Sequence, residues 1–300
     1  MIYTLTLNPS MDYVVRLDRL AAGTINRSSE EEFYAGGKGI NVSLVLAQLG
    51  MGSTATGFIG GFVGEAIEQA LAKAGVAADF VRLDEGMSRV NIKIMAETET
   101  EINGHGPRVT EEDFARLLTK LDQVREGDTL VLAGSVPASL TEDTYARILR
   151  RLEWRNARVV VDAAGPLLLN CLAHRPFLIK PNREELSAIF GSDVSDDREM
   201  TRCAGELRRK GARNVLVSLG SDGAALYAED GKIYRSGAVS GKAVNTVGAG
   251  DSMVAGFVAG FQRTGDYAFS LRLGAACGNA TAFSPGLAGR DMINDMLARL

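Results

Sequence analysis

Short, mostly apolar runs recur along the chain, and between them lie stretches whose apolar residues keep helical spacing. Met1–Leu7, Thr129–Ala133, Arg158–Asp162, Phe177–Ile179 and Val215–Leu219 are runs of the first kind. Gly39–Leu49 is of the second kind, with Val42, Val45, Leu46 and Leu49 on one face, and Glu65–Ala74 repeats it through Ile67, Ala70 and Leu71. Tyr145, Ile148, Leu149 and Leu152 form a further stripe, and helices are predicted near Ser252–Gln262, Tyr267–Phe283 and Asp291–Leu300. Thr110 followed by Asp113 predicts a capping box opening a helix with Phe114, Leu117, Leu118 and Leu121 on one side. A strand without a polar face must be covered on both sides. The alternation therefore predicts an α/β fold, a mostly parallel central sheet with helices on both faces. In such sheets ligands bind beyond the carboxyl ends of the strands. The loops after each strand are where chemistry is expected.

Two segments break the alternation. Asp12–Phe33 and Ser88–Glu101 are more polar and alternate with period two, as in Val90, Ile92 and Ile94. They read as strands of a half-exposed sheet, a small lid over the site. No linker, repeat or low-complexity tract divides the chain. Residues 1–300 therefore read as one domain carrying a β lid from about 12–33 and 88–104.

Composition narrows the class. A chain of 300 residues with 46% hydrophobic and 23% charged residues can bury a full core without staples. The net charge of −4 argues against a nucleic-acid surface. Cys171, Cys203 and Cys277 are scattered, so neither a disulfide framework nor a zinc site is indicated. The opening residues lack a basic stretch followed by a long apolar one, and no apolar run approaches a bilayer span. We expect a soluble, cytoplasmic protein with no membrane partner.

The sharpest motif is Asn245-Thr246-Val247-Gly248-Ala249-Gly250-Asp251-Ser252, which runs directly into an apolar helix. A helix start leaves N–H groups unpaired and carries partial positive charge. The N–H groups from Gly248 to Gly250 can hold the charge that builds on a transferring phosphoryl group. Asp251, at the same end, can accept the proton of an attacking hydroxyl. A carboxylate beside an anion hole is a minimal apparatus for phosphoryl transfer, although a lone Asp251 at such a place is also an ordinary cap. No GxxxxGK[ST] and no GxGxxG after the first strand are present, which argues against Walker-type and dinucleotide-binding sites.

Together with Asn8-Pro9-Ser10-Met11-Asp12, Gly36-Gly37-Lys38-Gly39-Ile40-Asn41-Val42, Thr100-Glu101-Ile102-Asn103, Gly134-Ser135-Val136-Pro137, Lys180-Pro181-Asn182 with Glu185, and Ser218-Leu219-Gly220 with Gly223, this motif resembles the PfkB, or ribokinase-like, carbohydrate kinases. Within that family it is most similar to the 1-phosphofructokinase and tagatose-6-phosphate kinase branch, over nearly the whole chain. The resemblance implies a ribokinase-like three-layer sandwich with a small β-sheet lid. It implies Asp251 as base and Gly248, Ala249 and Gly250 as anion hole. It implies Asp12, Gly37 and Asn41 on the sugar hydroxyls. Lys38, Arg89 and Arg27 would be cations for the sugar's phosphate, with Asn103 on the substrate loop and Lys93 a weaker candidate. Lys180, Asn182, Ser218, Gly220, Gly223 and Asn279 would face ATP, with Ser284 loosely placed near the adenine. Glu185 would order Mg2+ through water. At Asp162-Ala163-Ala164-Gly165 the chain departs from the family's Asp-Thr/Ser-Ser-Gly, and any hydrogen bond made by those hydroxyls is absent. His105, in a Gly-rich turn, reads as a loop residue.

The resemblance implies transfer from ATP to fructose 1-phosphate, with tagatose 6-phosphate as runner-up, and pairing of lid sheets into a homodimer. Two rivals remain at this point. One is a sugar-phosphate-binding regulatory protein on a kinase scaffold, the other a kinase of an unphosphorylated acceptor.

Overall fold

The computed structural model describes residues 1–241 and 243–300. Ile2–Thr6 lies inside the main sheet, flanked in parallel by Thr129–Ala133 and Thr54–Ile59. Beyond Thr129–Ala133 come Arg158–Asp162, Leu178–Ile179 and Asn214–Ser218, all parallel. Two antiparallel strands, Ala224–Tyr227 and Ile233–Ser236, close that edge. At the other edge the short strands Ala77–Ala78 and Val81–Arg82 both pair with Thr54–Ile59.

The apolar runs serve both faces, as expected from their composition. On one strand Leu130 and Leu132 join the cluster under the helices Glu111–Leu121 and Thr144–Leu152, while Val131 and Ala133 join the cluster under Lys38–Gln48 and Ala249–Thr264. Each fully buried leucine or valine among them contributes about 1.5–3 kcal/mol. The capping box is present: the Thr110 hydroxyl accepts from the Asp113 N–H at 3.1 Å, and the Asp113 carboxylate accepts from the Thr110 N–H at 2.9 Å.

The structure departs from the sequence reading in three ways. The Phe177–Ile179 strand shortens to Leu178–Ile179. Thr54–Ile59 and Ile233–Ser236 carry no continuous apolar signature and emerge only from pairing, while the four-residue apolar run Ala224–Tyr227 forms a strand that the sequence reading leaves out. The second helix begins at Gly61, four residues before the expected Glu65, although Gly61 and Gly64 are poor helix formers. Gly64 instead sits tightly against Ile59, where a Cβ would lie 2.9 Å from the Ile59 side chain. Close packing on the sheet overrides propensity there.

The polar segments form a separate four-stranded sheet in the order Glu30–Gly36, Ser10–Arg16, Arg89–Met95, Glu99–Asn103. Ser10–Arg16 pairs antiparallel with Glu30–Gly36 and parallel with Arg89–Met95. Its root is anchored where Met11 and Ala35 pack with Ile40, Ile59 and Ile67. Its far end is open: Phe33 stacks on Tyr13 with ring centroids 4.4 Å apart, yet remains 63% exposed. No helix among the described residues is long and apolar enough to cross a membrane.

Candidate active site

The carboxyl ends of the parallel strands open into one cleft of about 750 Å³, and the small sheet forms part of its wall. Ile2–Thr6 leads into Asn8, Ser10 and Asp12. Thr129–Ala133 leads into Gly134 and Ser135, Leu178–Ile179 into Lys180 and Asn182. A second cavity of about 820 Å³ shares Asn182, Ser218 and Gly250 with the first. The cleft is thus a continuous path with Gly250 and Asp251 near its middle.

Asp251 is the third residue of the Ala249–Thr264 helix. It makes no cap; its carboxylate accepts from the Asn41 side-chain amide at 2.8 Å. Gly248 caps the helix at φ 80°, a left-handed conformation that favours glycine. The Ala249 N–H donates to the Thr246 carbonyl at 3.2 Å, and the first helical bond runs from Ser252 N–H to Gly248 O at 2.8 Å. The N–H groups of Gly250 and Asp251 fall in the helix's unpaired first turn. Of the three N–H groups from Gly248 to Gly250, that of Ala249 is the one committed to a neighbouring carbonyl. Burial pushes the Asp251 carboxyl up to about 6, helped by the Asp162 charge and opposed by Lys38, Asn41 and Lys180.

Asp162 ends its strand fully buried. Its Oδ1 lies 3.2 Å from Lys38 Nζ and 3.4 Å from Lys180 Nζ. Burial opposes its ionisation, but the two lysines outweigh burial and hold it below the usual carboxylate range. Burial also works against the charge on Lys38, yet Asp162 and Asp251 keep its ammonium group above its ordinary value. Lys180 is itself buried and faces Gly250, where a Cβ would meet its Nζ at 3.1 Å.

On the other wall, Asp12 accepts from Ser10 Oγ at 2.7 Å and from Asn91 Nδ2 at 2.9 Å, and its second oxygen is 3.6 Å from Lys93 Nζ. Arg89 donates through Nε to the Asn8 carbonyl at 3.0 Å, which leaves its terminal nitrogens for another partner. Gly37 stands at φ 120° against Thr6, where a Cβ would come within 2.6 Å of the Thr6 methyl. The backbone can turn there only without a side chain.

Asn182 and Glu185 form a reciprocal capping box at 2.7 and 2.9 Å, and both line the cleft. Gly220, Gly223 and Asn279 line the second cavity. Asn279 accepts from the Val239 N–H and donates to the Ala275 carbonyl, which fixes its amide in that cavity's wall. Ser284 is outside its wall and bonds the Ala280 carbonyl.

The structure does not gather every expected residue. Arg27 lies exposed in the 17–29 connection and is not part of the cleft wall. Asn103 is exposed, its side chain 3.5 Å from Glu101, and it is not part of the cleft wall; the next residue's N–H donates to Asn91 Oδ1 at 3.3 Å. His105 contributes its carbonyl to Asn8 and leaves its ring exposed, as a loop residue should. Ser10, Asn91 and Ser135 were missed as site residues. Asn91 could have been found, because it shares a strand face with Arg89 and Lys93 at spacing two.

A mostly parallel sheet, helices on both faces, a separate small sheet and a buried carboxylate at a helix start define a ribokinase-like kinase. The chain belongs to the pfkB family of carbohydrate kinases, whose sequence profile matches residues 5–292. A 1-phosphofructokinase of Bacillus subtilis is 43% identical over 99% of this chain and 97% of its own. A D-tagatose-1-phosphate kinase of Bacillus licheniformis is 39% identical, covering 96% and 94% of the two chains. A tagatose-6-phosphate kinase of Staphylococcus epidermidis is 37% identical, covering 87% and 85%. Phosphofructokinase-2 from Escherichia coli, solved with substrates and products, has a TM-score of 0.94 at 29% identity and covers 100% of this chain and 99% of its own. The same enzyme has been solved in a tetrameric inhibited form. This chain is accordingly a phosphotransferase with an alcohol acceptor, and ATP is the family's phosphoryl donor.

Proposed function

We propose that this kinase moves the γ-phosphoryl group of ATP onto the free primary hydroxyl of fructose 1-phosphate, giving fructose 1,6-bisphosphate and ADP. The observation that carries this reading is the placement of Asp251. It is buried and raised towards neutrality at a helix start, between the lysine-lined floor and a small-sheet wall bearing Arg89. The similarity to 1-phosphofructokinases over nearly the whole chain supports the choice of sugar. Tagatose 6-phosphate is the second reading, supported by the tagatose-6-phosphate kinase relatives.

In this reading the small sheet is a lid of a single domain. Asp12, Gly37 and Asn41 position the sugar hydroxyls, and Arg89 meets the sugar's phosphate bidentately. ATP lies along the second cavity past Ser218, Gly220 and Gly223, with Lys180 and Asn182 towards its phosphates. The acceptor oxygen attacks the γ-phosphorus in line as the bond to the β-γ bridging oxygen breaks. Asp251 takes the hydroxyl proton, and the Gly250–Asp251 N–H groups meet the charge on the equatorial oxygens. Lid closure excludes water that would otherwise compete as acceptor. Magnesium fits the donor set through water: Glu185 lines the cleft with one carboxylate oxygen outside its capping box, and no cluster of three metal-ligating side chains exists among the described residues. When bound there, magnesium supplies charge neutralisation for the ATP phosphates. Arg27 and Asn103, outside the cleft wall, carry no step. The open face around Tyr13 and Phe33 suits pairing with a second copy, and cytoplasmic action completes the reading.

The test is ADP release with Mg-ATP and, at equal concentration, fructose 1-phosphate, tagatose 6-phosphate, fructose 6-phosphate or ribose. Fructose 1-phosphate should give the highest kcat/KM. A win for ribose would remove the phosphate role of Arg89, and sugar binding without ADP release would favour a regulatory protein.

A further inference from the structure

Asp162 has a place in the cleft that the proton chemistry above leaves unused. It is fully buried and carries a full charge, a costly combination unless paired. Both pairings use one oxygen: Oδ1 meets Lys38 Nζ and Lys180 Nζ, while Oδ2 is buried without a partner among the described residues. Ala163 and Ala164, next in the chain, have no side-chain hydroxyls to offer it. The two lysines come from different elements, one from the first residue of the Lys38–Gln48 helix and one from the loop after Leu178–Ile179. Among the described residues no other carboxylate lies within ion-pair distance of both, and without a shared anion two ammonium groups this close would repel.

We propose that Asp162 is a positioning residue for phosphoryl transfer: its buried Oδ1 holds the ammonium groups of Lys38 and Lys180 together beside Gly250, where the transferring group must pass. This deepens the proposed kinase reaction and rests on it. The lysines are preorganised before ATP arrives, so they need not be ordered during the reaction. As the phosphoryl oxygens enter, the lysines can share their hydrogens between Asp162 and the incoming charge.

A second consequence separates positioning from mere stability. Asp251 is faced by Lys38 and Lys180, by the Asn41 amide and by the Asp162 charge. Asp162 favours the protonated form of Asp251; the lysines oppose it. Replacing Asp162 with a neutral isostere must therefore lower the pH at which Asp251 takes up its proton.

The experiment is steady-state kinetics of the full chain and its Asp162→Asn variant against pH, with the sugar phosphate and Mg-ATP. Asp162→Asn should lower kcat by roughly 10²-fold, the cost of misplacing catalytic groups by about an ångström. KM for ATP should not rise, and the acid limb of kcat/KM should move to lower pH. Unchanged kcat, or a limb that stays in place, overturns the proposal while leaving the kinase reading intact. A wild-type chain that transfers no phosphoryl group to any sugar overturns both. Should the single variant not fold, the comparison is made within Lys38→Met, whose acid limb should move to higher pH. Adding Asp162→Asn there removes a cation and an anion together, and must move the limb back; no return overturns the proposal.

Discussion

The main sheet and the small sheet treat charge in opposite ways. In the body around the main sheet, Asp162 at a strand end and Asp251 in the first turn of a helix are buried, and their neighbours are two lysines and an amide. In the small sheet Asp12 keeps 18% of its side chain exposed and spreads its bonds over Ser10, Asn91 and Lys93. Burial, and how far cations offset it, decide the difference: paired to two lysines, Asp162 stays ionised, while Asp251 is raised. A desolvated carboxylate that is only partly compensated becomes a better base, which suits Asp251 to proton transfer. A partly exposed carboxylate in a hydrogen-bond network is suited to hold hydroxyls. On the proposed reading, chemistry belongs to the body and recognition to the small sheet.

The sharpest way to break that assignment is Asp251→Asn. It should lower kcat by roughly 10²–10⁴-fold with little change in sugar or ATP binding. Full activity in single-turnover assays would remove Asp251 as base. Packing offers the next contrast. Phe58→Ala, at a fully buried position in the main sheet, should cost about 3–5 kcal/mol in denaturant unfolding. Phe33→Ala, on the open face of the small sheet, should cost no more than about 1 kcal/mol. Equal losses would mean the small sheet is buried in solution by a second copy.

Recognition is tested through Arg89→Ala. Loss of a charged hydrogen bond of about 1.5–3 kcal/mol should raise KM for the sugar phosphate roughly 10- to 150-fold, with kcat less affected. An unchanged KM would place Arg89 outside the phosphate site.

The smaller effects concern pH. With Asp251 raised to about 6, kcat/KM should fall about tenfold per unit below that pH. A limb near the ordinary carboxylate value of 3.8 would contradict the burial argument. The same shift acts on stability. A carboxyl whose folded-state value lies above its unfolded one binds protons more readily when folded. Its ionisation therefore destabilises the free protein as pH rises from about 4 to 6, and the loss is complete above that window. Asp251→Asn should raise the melting temperature by a few degrees at pH 8 and leave it nearly unchanged at pH 4, in scanning calorimetry without ligands. An equal rise at both pH values would assign the gain to packing.

What the chain spells out locally was readable, and what depends on convergence was not. The buried strands were visible because residues such as Val159, Val160 and Val161 leave no polar face, and the capping box at Thr110 because its two residues lie three apart. The Asp251 motif was readable because a glycine-rich turn entering an apolar helix makes an anion-binding helix start wherever it falls. Thr54–Ile59 was missed because its mixed Thr and Gly pattern has no period, and only pairing with Ile2–Thr6 makes it a strand. Arg27 and Asn103 had the right chemistry for the cleft, but strand register and loop path leave both outside it. The sequence by itself determined the layered α/β body and the glycine-capped helix start that carries Asp251, since periodicity and capping are local properties. The tertiary structure alone decided which charges meet. Lys38, Asp162 and Lys180 are far apart along the chain, and only the parallel alignment of strand ends gathers them around one buried oxygen.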